Sequence, residues 1–436
     1  MSYIFKTLNY LGSKLRLLDF IEENVRKVTD VGSGVCDLFA GSGCVSYKLS
    51  SVFPIVSCDI QYYSTVICNA LLHKPTISKD EFNTFISDIY LGAYSSLVNG
   101  FSPLIAIEED AIKNKKLDVL TDIIEHGSLE VFNIENSESL ISLAIEQVNN
   151  NLMVAGLMNK ESLISRYYGG VYFSYYQAVQ IDVILAAIRN HANENIKDVL
   201  LAALLSTASD IVDTVGKHFA QPIKARDSKG NIKPLVLNKA LKDKTIDVFA
   251  LYKAWLYKYI ELPRSEFQHN SIQCDFLDCL NNLPEYVHTI YADPPYTRDH
   301  YSRFYHVLET IALDDIPNIS TVKKNGEIHV SNGIYRQDRH QSPFCIRSKA
   351  PNAFNDMFRV ISTSNRNLIL SYSPYDETKK SHPRVVTIEQ LVSWAKNYFN
   401  NVEIVSPGHF SHNKLNSSEH LLASSDEAEM LIICTS

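Results

Sequence analysis

The sequence predicts an α/β protein built on one mostly parallel sheet that a long helical insertion splits in two. Three observations carry this. Short apolar runs bounded by turn residues recur near both ends of the chain, helical patterns separate several of them, and residues 75 to 270 are mainly helical in pattern. At 436 residues the chain exceeds one comfortable core and calls for two domains, or one domain carrying a large insertion. The expected division is 1–74 with 271–436 as one domain and 75–270 as the insertion.

Taken in order, "GVCDLFAGSGCVSYKLS" (34–50) reads as a buried strand, a glycine turn and a helix, and "PIVSCDI" (54–60) as a second buried strand ending in an acid. Downstream runs at 287–293, 367–373, 401–407 and 429–436 supply further strands. Within the insertion, "SYYQ" opening at Ser174 is a capping box, followed at helical spacing by Ala178, Ile181, Leu185 and Ile188. A second helix is expected over 196–215, and "TRDHYSRFYHVLETI" (297–311) reads as one helix burying Phe304, Leu308 and Ile311. Residues 314–352 are polar and turn-rich with no clear period.

Composition narrows the class. Apolar residues make up 45% and charged residues 21%, the balance of a soluble globular chain. No stretch is long and apolar enough to span a membrane and the start lacks a secretory pattern, so an intracellular setting is expected. Eight scattered cysteines without a CxxC pair read as reduced core thiols, and neither they nor His300, His306, His409 and His412 have zinc-ligand spacing, so no metal is expected. The net charge of −8 is uneven: residues 75–150 hold 13 acidic against 4 basic side chains, whereas 216–244 hold 8 basic against 2 acidic. Such a basic stretch suits a polyanion, with Lys217, Lys224 and Arg226 as phosphate contacts, or is simply a solvated loop.

Gly41 and Gly43 sit where a strand meets a helix N-terminus, where the backbone can approach a ligand; a tight turn alone would also use them. Asp59, at a strand end, is placed for ribose hydroxyls or for capping a helix. "DPPY" (293–296), closing an apolar strand, is far more specific, arising by chance in roughly one chain of this length in several hundred.

The order "NYLGSK" (9–14), "DLFAGSG" (37–43), "CDI" (58–60), a long insertion, "QCDF" (273–276) and "YADPPY" (291–296) resembles the Dam-like alpha group of N6-adenine DNA methyltransferases. Residues 167–188 and 200–224 look like that family's helical segment, and "EMLIICTS" like its closing strand. The resemblance implies a Rossmann-like methyltransferase sheet with an antiparallel C-terminal strand, an insertion that recognises the target, and S-adenosyl-L-methionine as cofactor. Double-stranded DNA is the implied substrate, and a cognate restriction endonuclease in a prokaryotic or phage system a further implied partner, with the protein cytoplasmic at the nucleoid. It implies that Tyr10, Lys14, Asp37, Gly41 and Gly43 line the methionine end of the cofactor, with Lys14 near its carboxylate. Asp59 would take the ribose, and Asp275 and Phe276 the adenine. "LGSK" departs from the family's more usual "GGK", which touches the Tyr10 contact rather than the lysine.

"DPPY" then acquires a chemical reason. The N6 lone pair of adenine is delocalised into the ring, so a site must accept hydrogen bonds from both N6 hydrogens and draw the nitrogen toward a tetrahedral form. Asp293 and the Pro294 carbonyl can supply those acceptors, Pro294 and Pro295 hold them rigidly, and Tyr296 offers a stacking face for a base turned out of the duplex. Arg298 and Arg303 could reach phosphates or be ordinary surface arginines. Two rival functions are a cytosine-N4 methyltransferase, which serine at position 293 would favour, and a catalytically silent DNA-binding specificity component of the same fold. No cysteine follows a proline, which excludes the cytosine-C5 nucleophile.

Overall fold

In the computed structural model the described residues are 5–75, 77, 79–91, 94–131, 139–191, 193–298, 300–324, 326–373, 384–407 and 429–436. They form two compact units. One comprises Met1–Lys74, Leu262–Ser302 and His340–Ser436, and the other Pro75–Glu261 with Arg303–Arg339. The second boundary therefore falls before residue 262 rather than at 270, and 303–339, expected with the sheet, cluster with the helical unit.

The first unit holds a seven-stranded sheet: β1 (Gly34–Asp37), β2 (Ile55–Asp59), β3 (Asn270–Gln273), β4 (Val287–Ala292), β5 (Asn367–Tyr372), β6 (Asn401–Val405) and β7 (Met430–Thr435). Their order is β3-β2-β1-β4-β5-β7-β6. The first five pair in parallel, and β7 runs antiparallel between β5 and β6, with Leu368 opposite Cys434 and Val402 opposite the same cysteine. This is the mostly parallel, Rossmann-like methyltransferase sheet with an antiparallel closing strand. Central strands are apolar on both faces: every residue of β1 is buried, as is all of β4 except His288. β3, with the polar sequence "NSIQ", is a half-exposed edge strand, so its hydrophobic signal is too weak to read from the chain. Cys36, Val56, Ile290 and Leu370 meet Phe354, Phe358 and Leu391 from the flanking helices in one core.

The second unit is mainly helical. Its helix Tyr175–Asn190 starts in the expected capping box, with Ser174 accepting from the Gln177 amide and Gln177 closing back on Ser174. Ala178, Ile181, Leu185 and Ile188 are buried along it, and Asp182 is buried too. Both Asp182 oxygens accept amides at the start of helix Leu163–Tyr168, from Ile164 (2.7 Å) and Ser165 (2.8 Å). The helix expected over 196–215 runs Glu194–Ile211. The single helix expected over 297–311 is two pieces, Tyr301–Phe304 and His306–Leu313. His306 packs between Tyr168 and Tyr172 with its Nε2 3.2 Å from the Phe219 carbonyl, and burial lowers its pKa to about 3. The patternless stretch 314–352 contains an antiparallel hairpin, Thr321–Lys324 with Glu327–Val330. His409 and His412 lie outside the described residues.

Candidate active site

The parallel strands deliver their carboxyl ends to one cleft of about 1130 Å³, its open mouth included. Asp37 ends β1, Asp59 ends β2, Asp275 follows β3 and Asp293 follows β4, and all four line it. The sheet order reverses between β1 and β4, which is where open α/β sheets bind ligands. Tyr10, Lys14, Gly41, Phe276, Pro294, Pro295 and Tyr296 line the same cleft, so the structure brings those expected site residues together; Gly43, the remaining one, caps the adjoining helix.

The glycine turn is shaped by close approach. Gly41 and Gly43 have φ of 52° and 71°, a region side chains disfavour. A Cβ at Gly41 would lie 2.6 Å from the Tyr10 hydroxyl, and one at Gly43 2.7 Å from Leu71 Cδ1. Asp59 holds this turn open by accepting the Gly41 amide on one oxygen and the Gln61 amide on the other, both at 2.9 Å.

Asp37 is buried. Its Oδ2 accepts the Ser46 hydroxyl (2.7 Å) and amide (3.1 Å), while Oδ1 is buried with no hydrogen-bond partner. Burial, reinforced by the nearby Asp293 carboxylate and opposed by Ser46, pushes its pKa up to about 7. The folded value exceeds the unfolded one, so the carboxylate's cost to stability is absent at low pH and complete above about 7. A cation bound beside Asp37 would relieve that cost. Affinity for a cationic ligand of this cleft is therefore expected to rise with pH by up to about tenfold per unit below pH 7, then level off. Calorimetry with S-adenosylmethionine on wild type and Asp37→Asn checks this; equal pH slopes would remove Asp37 from the linkage.

Lys14 is the electrostatic centre of the Asp293 end of the cleft. Its ammonium lies 2.8 Å from Asp293 and 3.3 Å from Glu429, and donates to the Gly12 carbonyl at 3.3 Å. Burial alone would lower its pKa, but the Asp293 and Glu429 carboxylates outweigh burial and hold it well above the ordinary lysine value. Glu429 is 2% exposed and also accepts the Ser371 hydroxyl at 2.8 Å. A cofactor carboxylate at Lys14, as the resemblance implies, would have to exchange with one of these acceptors. Tyr296 is 7% exposed, with the Arg384 guanidinium 4.7 Å from its ring centre and the Tyr372 ring at 5.2 Å.

At the far end Phe39 and Phe276 form an aromatic wall backed by buried Phe344, which meets Phe276 edge-on at 4.9 Å. Asp275 spends one oxygen on the Leu277 amide as the cap of its helix. Sequence reasoning missed Glu429, Phe39 and Arg384. Phe39 sits inside the quoted "DLFAGSG" and could have been found; the others carry no local signal.

Of the expected DNA contacts, Arg298 and Arg303 are exposed. Lys217 pairs with Asp243 at 2.8 Å, and Arg226 with Glu125 at 3.1 Å and Asp122 at 3.4 Å, while Lys224 is exposed. The basic stretch thus meets part of the acidic one inside a single unit: Lys244, fully buried, pairs with Glu108 at 3.0 Å. Ile223, Ala225 and Leu237 anchor it on Ile124.

Sheet order and cleft together define a Rossmann-like methyltransferase fold with a "DPPY" elbow at its switch point. In comparison with known families, residues 10–99 match the model of the D12 class N6 adenine-specific DNA methyltransferases. The chain is 24% identical over 403 residues to the modification methylase LlaI of Lactococcus lactis subsp. lactis, covering 90% of this chain and 49% of that protein. Over 373 residues it is 24% identical to the type II methyltransferase M.FokI of Planomicrobium okeanokoites (84% and 44%). Over 325 residues it is 24% identical to M.NlaIII of Neisseria lactamica (71% and 70%). The chain therefore spans about half the length of the first two. Among the described residues no helix is long and apolar enough to cross a membrane.

Proposed function

We propose that the chain is an adenine-specific DNA methyltransferase of a restriction–modification or related system, transferring a methyl group from S-adenosylmethionine to N6 of an adenine turned out of duplex DNA. The observation that carries this reading is the Asp293 carboxylate. It is about one-fifth exposed, opens onto a cleft lined by three further acids, and is braced from behind by buried Lys14.

The cleft suits that cofactor. Four aspartates against one lysine favour a ligand with positive charge, the orphaned Asp37 oxygen offers an acceptor for an ammonium, and the phenylalanine wall offers a face for adenine. Tyr10, Asp37, Gly41 and Gly43 would hold the methionine end, Asp59 the ribose, and Asp275 and Phe276 the base. S-adenosylmethionine held there would supply an electrophilic methyl group and leave as the neutral thioether.

Asp293 and the Pro294 carbonyl accept the two N6 hydrogens, so the nitrogen lone pair leaves conjugation and faces the methyl group. Lys14 holds Asp293 in place through their 2.8 Å ion pair. The methylated nitrogen carries a full positive charge and is strongly acidic, so even a carboxylate paired to lysine takes its proton and passes it to water at the cleft mouth. Tyr296 supports the base, in competition with Arg384 for its ring.

Incubation of the protein with duplex DNA and methyl-labelled cofactor, followed by nucleoside analysis, is expected to yield N6-methyladenine. Label on cytosine, or none in DNA, overturns the reading.

A further inference from the structure

The helical unit carries a feature its fold does not use. The hairpin Thr321–Lys324 with Glu327–Val330 stands in solvent: Ile328 is 75% exposed and Val322 47%. Lys323 pairs directly with Ile328, so a cation and a large apolar group share one face of the ribbon. Neither face is buried, and a two-stranded ribbon of this kind is marginal by itself in water. Exposing isoleucine there contributes nothing to the core.

At the ribbon's base two guanidinium groups share one ring. Arg339 lies 4.9 Å and Arg303 5.6 Å from the centre of Tyr335, whose backbone bonds Ser320 and whose amide bonds Ser331, the residues flanking the hairpin. Among the described residues neither arginine has a carboxylate partner, whereas Arg336 between them in sequence is paired with both Asp315 and Asp338. Burial and the like charge of Arg303 lower the Arg339 pKa. Asp338 and the Tyr335 hydroxyl offset this only in part, so two guanidinium groups held over one ring outside any ion pair suit an anionic ligand.

We propose that residues 319–339 are the DNA-reading element of this protein: the ribbon enters the major groove with its Lys323 and Ile328 face toward the bases, and Arg303 and Arg339 clamp a backbone phosphate beside it. Four-residue strands extend roughly 13 Å. The major groove is about 12 Å wide and admits a two-stranded ribbon. A lysine beside an apolar side chain matches what that groove presents, guanine acceptors and thymine methyl groups. The duplex is the fitting occupant because the clamp is cationic and needs a polyanion. The inference rests on the reading of the chain as acting on DNA, and it puts recognition after the "DPPY" elbow in sequence, outside the 75–270 insertion.

Two double variants test it, both checked for wild-type melting. In fluorescence anisotropy with duplex oligonucleotides, Arg303→Ala with Arg339→Ala is expected to weaken binding to every sequence and to shallow the log–log salt dependence by about two units. Lys323→Ser with Ile328→Ser is expected to leave that slope within about one unit. Its preferred site, mapped from methylated adenines across a genome, should lose discrimination by roughly five- to a hundredfold at one or two positions. Unchanged slope and unchanged site preference in the two variants overturn the proposal while methylation by wild type stands. If wild type binds duplex without methylating it, the enzymatic reading fails, and the slope change and each variant's preference among duplexes still decide the ribbon. Absence of duplex binding overturns both.

Discussion

Asp293→Ala is expected to fold, to bind cofactor and DNA, and to lose at least about a hundredfold in methyl transfer. The carboxylate's hydrogen bond to N6 strengthens as the nitrogen gains positive charge, so it acts chiefly in the transition state, and its removal lowers kcat rather than raising KM. Lys14 does not become an orphan in this variant, because Glu429 stays at 3.3 Å. Single-turnover rates with saturating DNA and cofactor measure the loss. Near-normal turnover in Asp293→Ala would sink the mechanism, since no other carboxylate in the cleft follows the "DPPY" strand.

The second large effect is on stability. Lys14→Met removes the cation shared by Asp293 and Glu429. Asp293 can turn to solvent at the cleft, but Glu429, 2% exposed, is left as a buried carboxylate that keeps the Ser371 hydroxyl and loses its lysine. Breaking a buried pair from one side typically costs about 3–5 kcal/mol. Denaturant unfolding should show a deficit of that order, and Lys14→Met combined with Glu429→Gln should recover much of it, because the neutral amide needs no counter-charge. If the double variant is as unstable as the sum of the singles, the two side chains are not coupled as the distances indicate.

Much of this was legible in the chain because the informative residues are local. "DLFAGSG" specifies strand, turn and helix through a few consecutive side chains, and "DPPY" joins an acid to two fixed φ angles at a strand end. The Ser174 capping box was readable for the same reason. What was not legible depends on encounters far apart in sequence. Glu429 belongs to the site only because β7 slots between β5 and β6, a placement that no window around residue 429 encodes. The charges of Lys217 and Arg226 suggested a polyanion face, yet Asp243, Asp122 and Glu125 meet them in the fold. The hairpin at 321–330 was legible and was missed: "NG" at 325–326 followed by the alternating "EIHV" of 327–330 is a hairpin signal, overlooked inside a polar stretch.

The sheet's own connectivity sets the order in which this protein can assemble. Val35 pairs with Thr289, and Val56 with Asn270, so two of the sheet's parallel ladders close loops of more than 200 residues. Closing such a loop as open chain is entropically costly and slow, whereas the helices of 75–261 form from near neighbours. Refolding should therefore be biphasic: helical circular dichroism recovers first, and the near-ultraviolet signal of Tyr291 and Tyr296 returns only when β1 finds β4. Until then apolar β1 and β2 have open edges, so a refolding chain is most prone to aggregate in the interval between the two phases.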